Sequence, residues 1–334
     1  MRAIGDLASF IIKSRFQTNL QNAAETSAKT ATTGIVEDKA KHLGGATLSL
    51  SLLERKSTLL QQHKRGIDEA NVIASATQLV MGKIQDRTEN LVNSLSLESQ
   101  LQTDNGVKAL SRDAKSVFLD TVANLNTEIG GRYLFAGTAT NRPPLIDGAA
   151  LLSNVQSSLG GVATANNVSL AVDNWFDSVG GGFEVSAYTG STIGYLTIPL
   201  GDDGKATFGF RADDRTIRDN LKALAKASLA SDPALGLNIE DQKALLGQAR
   251  AELIVAKDNL VAERGTLGLT ESRIAEASST VDEELARLEI DRLTLVGVDQ
   301  FEEVSKFEAA QSQLDIFYRV AARQGRASLA EYLR

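Results

Sequence analysis

Apolar residues recur every seven positions along two stretches of the chain. The first runs Leu53, Leu60, Ile67, Ala74, Met81, Thr88 and Leu95, with Ala70, Thr77, Ile84 and Leu91 interleaved. The second runs Leu253, Leu260, Leu267, Ile274, Val281 and Leu288. Ala249, Ala256 and Ala277 fill its alternate seam, and Glu263, Thr270 and Glu284 interrupt it with polar groups. Alternating steps of three and four keep side chains on one helical stripe. A stripe held through several heptads predicts long helices in coiled-coil-like packing, and its large members are the predicted bundle core.

A third amphipathic face, Val107, Leu110, Ala114, Val117, Phe118, Thr121, Leu125 and Ile129, predicts a helix over about Val107 to Glu128. Asp104-Asn105-Gly106 reads as the turn before it. Further on, Thr216-x-x-Asp219 resembles a capping box for a helix starting near Asp214. Asp232-Pro233 predicts a short turn, and Asn238 followed by Asp241 marks the start of the last long helix. Between the arms the period changes. Phe183-Glu-Val-Ser-Ala-Tyr188 alternates with period two, as do Tyr195–Leu200 and Ala206–Phe210 around the turn Gly201-Asp-Asp-Gly204. These read as strands, while Leu151, Leu152, Val155 and Leu159 suggest a short helix.

Both ends of the chain also carry apolar residues at roughly helical spacing. They are Ile4, Leu7, Ile11, Phe16 and Leu20 on one side, and Phe301, Val304, Phe307, Leu314 and Phe317 on the other. Two thin helices cannot cover each other's whole apolar surface. These ten residues are therefore the predicted subunit-assembly positions of a self-associating protein. The arms have matching patterns on either side of the middle segment, so the simplest packing folds the chain back like a hairpin.

Composition supports this layout. The four prolines are Pro143, Pro144, Pro199 and Pro233, so residues 1–142 and 234–334 are free of the strongest helix breaker. Fourteen of the 27 glycines lie between Gly130 and Gly209, in the same middle segment. Hydrophobic residues make up 43% of the 334, aromatics only 5%, so cores of Leu, Ile, Val and Ala are expected. Charge excludes more than it suggests. Lys and Arg number 35 against 42 Asp and Glu, a net −7, which opposes a broad grip on phosphate backbones.

No cysteine is present, which removes disulfides, thiol nucleophiles and cysteine-held metals. His42 and His63 stand alone, with no HExxH, and neither metal nor cofactor is expected. There is no GxxxxGK[ST], GxGxxG or GxSxG. Asp202, Asp203, Asp213 and Asp214 read as a hairpin turn and a helix cap rather than a Ca²⁺ site. Asn167-Val-Ser169 matches a glycosylation sequon that is common by chance. An enzyme or ligand receptor housed in residues 146–212 would need a convergent polar pocket, and the sequence offers none. No apolar run is long enough to span a bilayer, and the N-terminus lacks the order of a cleaved signal peptide.

One local stretch is specific. Gly131-Arg-Tyr-Leu-Phe-Ala-Gly137, followed by Pro143-Pro144-Leu145, resembles the GRYxFxG…PPF segment of the hook–filament junction family, flagellar hook-associated protein 3, in the flagellin superfamily. Phe208-Gly-Phe-Arg-Ala-Asp-Asp-Arg-Thr-Ile-Arg-Asp-Asn-Leu-Lys-Ala-Leu-Ala225 is similar to that family's return into its helical domain. The start Met1-Arg2-x-Ile4 and the ending Ser328-Leu-Ala-Glu-Tyr-Leu333 resemble its termini. The RLSSGxRIN pattern of major flagellins is absent.

The resemblance implies a mainly α fold with a β-rich insert: a long coiled-coil-like bundle from both arms, a small mixed or β domain in the middle, and paired terminal helices. The expected domains are residues 1–44 with 292–334 as the terminal assembly core, 45–142 with 214–291 as the bundle, and 143–213 as the insert. The implied function is that of a non-enzymatic structural adaptor joining hook to filament. Its implied partners are copies of itself in a ring, the neighbouring hook-associated protein, flagellin, and an export chaperone on the C-terminal helix. Nucleic acid and membrane are not among them. The resemblance further implies type III export without a cleaved signal, and an extracellular place in the bacterial flagellum. A divergent filament flagellin is the alternative.

Overall fold

The structure is a computed structural model that describes residues 2–97, 101–161 and 164–332, without the side chains of residues 2–6, 9, 203, 325 and 327–332. Met1, Leu333 and the side chains of Ile4 and of 328–332, which carry part of the family resemblance, lie outside the described residues. The fold is mainly α. Its elements in order are α1 (Arg2–Thr33), α2 (Lys39–His42), α3 (Leu48–Leu95), α4 (Asp104–Leu125), β1 (Glu128–Ile129), β2 (Arg132–Tyr133), α5 (Gly148–Ser158), α6 (Ala165–Asp177), β3 (Leu196–Pro199), β4 (Lys205–Phe208), α7 (Arg215–Leu229), α8 (Ile239–Val296) and α9 (Gln300–Tyr332). Two compact units divide them, one of Met1–Gln61 with Asp282–Arg334 and one of Gln62–Val281.

In the second unit α3 and α8 run antiparallel. Lys64 Nζ donates to Ser278 Oγ at 2.7 Å, Arg264 to Gln78 and Gln85 at 3.1 and 2.6 Å, and Arg250 Nε to Ser96 Oγ at 2.8 Å. The heptad stripes face inward, as their spacing predicts. Ile67, Met81, Leu95, Leu253, Leu260, Leu267, Ile274 and Val281 are all buried. In the first unit Leu60 and Leu288 are buried and Leu53 is half-buried. The polar interruption Thr88 is also buried, and its hydroxyl accepts from Asn220 on α7 at 3.0 Å. That pairing satisfies two groups that would otherwise be costly to desolvate.

Helix α4 packs on α7, and its predicted face is buried from Val107 to Leu125. It begins earlier than expected. Thr103 caps it by accepting from Gly106 N–H at 3.1 Å, so Asp104-Asn105-Gly106 forms its first turn instead of a loop. An acid in the first turn suits the positive end of the helix dipole. The Thr216 capping box does not form either. Thr216 Oγ1 reaches the Glu263 carboxylate at 3.5 Å, while Asp214 holds the turn by accepting from Arg211 N–H at 2.7 Å. Asn238 does cap α8, accepting from the amides of Glu240 and Asp241 at 2.9 Å each.

The middle segment is mixed. Strands β3 and β4 pair antiparallel with Leu196 opposite Phe208 and Ile198 opposite Ala206, and all four inward residues are buried. The strand expected at 183–188 is instead a single π-helical turn, Phe183–Ala187. Burial explains the difference. Phe183 and Ala187 are buried four apart while Val185 stays 76% exposed. The Phe183 ring stacks on Phe176 at 5.4 Å and on Tyr188 at 6.4 Å. Gly182 lies so close to the Trp175 ring that a Cβ has no room there. Aromatic packing at helical spacing therefore overrides the period-two alternation.

Candidate functional site

The predicted assembly residues lie on α1 and α9, which pack along each other in the first unit. Part of each helix is used in this pairing. Leu20, Ala24, Thr30 and Ala310 are buried in it, and Phe307, Leu314 and Phe317 are half-buried. The Phe16 and Phe317 rings meet at 5.8 Å, and Tyr318 Oη accepts from Gln17 and Gln21 at 3.3 and 3.2 Å.

The rest stays open. Leu7 and Ile11 on α1 and Phe301 and Val304 on α9 are exposed, Phe301 to 81%, and Phe16 keeps about half its surface open beside Phe317. Sequence spacing missed Phe10, Ile12, Ile316 and Val320, which are exposed as well. The signal was present in the run Phe10-Ile11-Ile12, because consecutive helical positions cannot share one face. Apolar side chains therefore cover more of α1 than the single stripe that faces its partner. An exposed apolar surface of this kind, on a helix already packed once, is the candidate interaction surface of the first unit.

The pair meets the neighbouring helices at a joint where both arms leave the helix together. Val36 N–H donates to Val296 O and Val298 N–H to Gly34 O, each at 3.0 Å, around an antiparallel bridge between Ile35 and Gly297. Gly34 has φ +69°, in the left-handed region that glycine favours. A Cβ on Gly297 would collide with Leu293 O. Lys29 pairs with Glu37 at 3.2 Å and Lys39 with Glu54 at 3.1 Å. A hydrogen bond with Thr26, and then Lys29, holds the Glu37 carboxyl below its ordinary value.

The GRYLFAG stretch is a structural clasp in the second unit. Leu134, Phe135 and Ala136 are buried. Their backbones bind three separate segments: Leu134 N–H to Thr127 O, Ser191 N–H to Ala136 O and Ala212 N–H to Phe135 O; Tyr133 N–H also donates to Thr140 O. Gly137 has φ +61° and is crowded by Ser191 O and the Arg211 side chain. Arg211 in turn binds Asp213 at 2.9 Å and Thr192 O at 2.7 Å, and covers the Tyr195 ring at 4.8 Å. Asp213 and Asp214 are thus engaged by Arg211. Among the described residues no group of three or more acidic or histidine side chains is placed to hold a metal ion.

One buried cation escaped the sequence reading. Lys226 on α7 is fully buried between Asp173 on α6, at 2.7 Å, and Glu252 on α8, at 2.6 Å. Its neighbour Lys222 pairs with Asp177 at 2.6 Å and Asp219 at 3.0 Å. Lysine four after lysine on a helix otherwise rich in Ala and Leu is the only trace of this in the sequence.

Residues 238–333, which span α8 and α9, match the family model of the bacterial flagellin C-terminal helical region. Over these residues the chain is flagellin-like. Its structure is similar to the crystal structure of Bacillus cereus FlgL, with TM-score 0.53 and 15% identity, over 73% of this chain and all of that one. A structure described as a flagellar hook-associated protein of Vibrio parahaemolyticus also matches, with TM-score 0.41 and 12% identity, over 72% of this chain and 96% of that one. No curated protein matches the sequence. The FlgL likeness is one of fold. The flagellin-like match covers the C-terminal half of the terminal pair, where Phe301, Val304, Ile316 and Val320 stand exposed. No described helix is long and apolar enough to cross a membrane.

Proposed function

We propose that the chain is a structural subunit of the bacterial flagellum and acts at the hook–filament junction. The observation that carries this reading is the surplus apolar surface on the α1/α9 pair, within a flagellin-type C-terminal region. Burying one exposed Leu, Ile or Phe contributes about 1.5–3 kcal/mol, so several per subunit, repeated around a ring, make a strong joint. Ile4, Leu7, Ile11, Phe16, Leu20, Phe301, Val304, Phe307, Leu314 and Phe317 form the assembly set, some by building the pair and some by meeting neighbours. Residues 1–44 with 292–334 serve as the assembly core, 45–142 with 214–291 as the bundle, and 143–213 as the insert.

The partners in this reading are further copies, the hook-side hook-associated protein and filament flagellin, with a chaperone holding the C-terminal helix before export. The subunit has no catalytic task and is exported without a cleaved signal to its extracellular place. The GRYLFAG resemblance favours the junction over the filament itself. A deletion strain tests the choice. Intact hooks with flagellin lost to the medium support the junction role, and absence of the filament subunit itself supports a divergent flagellin. Labelled protein seen along the filament instead of at the hook boundary overturns the junction reading.

A further inference from the structure

We propose that an apolar groove between α3 and α8 receives Phe301 of a second copy of this chain. The proposal rests on the assembly reading above and names the surface that the exposed α9 residue meets. Every residue it uses lies in the first unit.

The groove has a volume of about 510 Å³. It is lined by Leu52, Leu53 and Lys56 on α3 and by Asp291, Thr294 and Leu295 on α8. Its origin lies in the heptad pattern, which loses its cover toward the start of α3. Leu60 is buried, Leu53 is half-buried, and Leu52 is 58% exposed. The polar groups beside this carbon surface are partly engaged. Thr294 Oγ1 donates to Ile290 O at 2.9 Å, and Lys56 pairs with Glu284 at 3.0 Å. A concave site of this size and lining suits an apolar side chain.

Phe301 is the matching knob. It stays exposed instead of filling its own groove, yet its backbone is held. Its N–H donates to Asp299 Oδ1 at 2.8 Å, and Lys306 ties the first turn of α9 by pairing with Glu302 and Glu303 at 2.9 and 2.8 Å. An anchor fixed in advance loses little freedom on docking. Val304, three residues on, is exposed on the same side of the helix. The charges also match. The groove is bordered by exposed Lys56 and Asp291, and the knob by exposed Glu302 and Lys306. Each border charge thus has an opposite one available on the incoming helix, which favours a second copy and sets its register.

Groove and knob are different surfaces of one molecule. Their contact is therefore head-to-tail and leaves each added copy with a groove or a knob still open. Such a contact builds a ring or a helix, whereas a two-fold dimer needs one patch that meets itself.

The test uses the purified full chain, which has no native cysteine. Ser49 lines the groove and Ser305 lies one turn beyond Phe301, both exposed. Under mild oxidation, Ser49→Cys mixed with Ser305→Cys is expected to form a disulfide dimer about tenfold faster than either variant alone. Adding Phe301→Ala to the Ser305→Cys subunit should lower the mixed rate about tenfold, the loss of one Phe burial, with its thermal transition unchanged. Equal mixed and single rates overturn the proposal, as does a mixed rate indifferent to Phe301→Ala. Labelled protein at the hook boundary together with equal rates rejects the groove and leaves the junction reading. Fast mixed trapping with label along the filament leaves the groove and rejects the junction.

Discussion

At the residue scale the least legible feature is Lys226. A lysine placed among Ala and Leu reads in sequence as a solvated position, and its two carboxylate partners come from other helices. Only the fold brings α6, α7 and α8 around one ammonium group. Lys226→Ala is expected to destabilise the chain by about 2–4 kcal/mol in urea denaturation, since it leaves Glu252 without its cation and Asp173 with only Lys222, at 3.8 Å. The lower end is favoured because Asp173 and Glu252 keep about a third of their side-chain surface in water. Lys226→Met, which keeps the stem volume, should lose less than Lys226→Ala; equal losses would mean that pairing and not packing is at stake. Buried Tyr188 and half-buried Lys222 bear on stability at alkaline pH. Burial, and then Asp213, pushes the Tyr188 phenol well above its ordinary value. For Lys222 burial acts downward, but Asp177 and Asp219 outweigh it and its value rises. Both groups hold their protons more tightly folded than unfolded. Their contribution is whole below about pH 10, and as pH rises past that point the unfolded chain loses its protons first, so stability falls. Phenolate absorbance from Tyr188 should therefore appear together with alkaline unfolding, as a comparison with Tyr188→Phe would reveal.

At the element scale, what the sequence makes readable is periodicity that a single packing surface imposes. The stripes of α3 and α8 are legible because each residue faces one partner for many turns, and Ile67, Met81, Leu260 and Ile274 are all buried where the heptads put them. The β3–β4 hairpin is legible for the same reason with period two. Phe183–Ala187 is not, because its packing is decided by Trp175, Phe176 and Gly182 rather than by its own alternation. The GRYLFAG clasp lies between these cases. Its sequence is conspicuous, yet the reason for Gly137 appears only when Ser191 and Arg211 close over it. A matched pair of substitutions separates the two demands on that glycine. Gly236 also has φ +61°, but nothing would touch an added Cβ there. Gly236→Ala is expected to cost about 1 kcal/mol for the left-handed backbone alone. Gly137→Ala should cost about 1–3 kcal/mol more, because backbone Ser191 O must shift. Equal shifts in the thermal midpoint would show that conformation alone fixes Gly137.

At the scale of the whole molecule, the terminal helices carry two kinds of apolar residue that sequence spacing could not separate. Phe16 and Phe317 build the α1/α9 pair, whereas Phe301 points away from it and is 81% exposed. The same residue type at the same helical period thus serves folding in one place and stands free for association in another. Burial against the partner helix is the deciding quantity, and it depends on a contact between opposite ends of the chain. Phe301→Asp should leave the isolated subunit's thermal transition unchanged within about 0.5 kcal/mol, as an exposed substitution does. It should raise the concentration needed for assembly by about tenfold or more, the loss of one Phe burial per contact. Phe317→Asp should act in the reverse order. A carboxylate inserted beside Phe16 loosens the pair first, so faster amide exchange along α1 precedes any assembly defect. If Phe301→Asp unfolds the subunit, its face is internal and the division fails. If both variants assemble normally, the surplus apolar surface is not the interface.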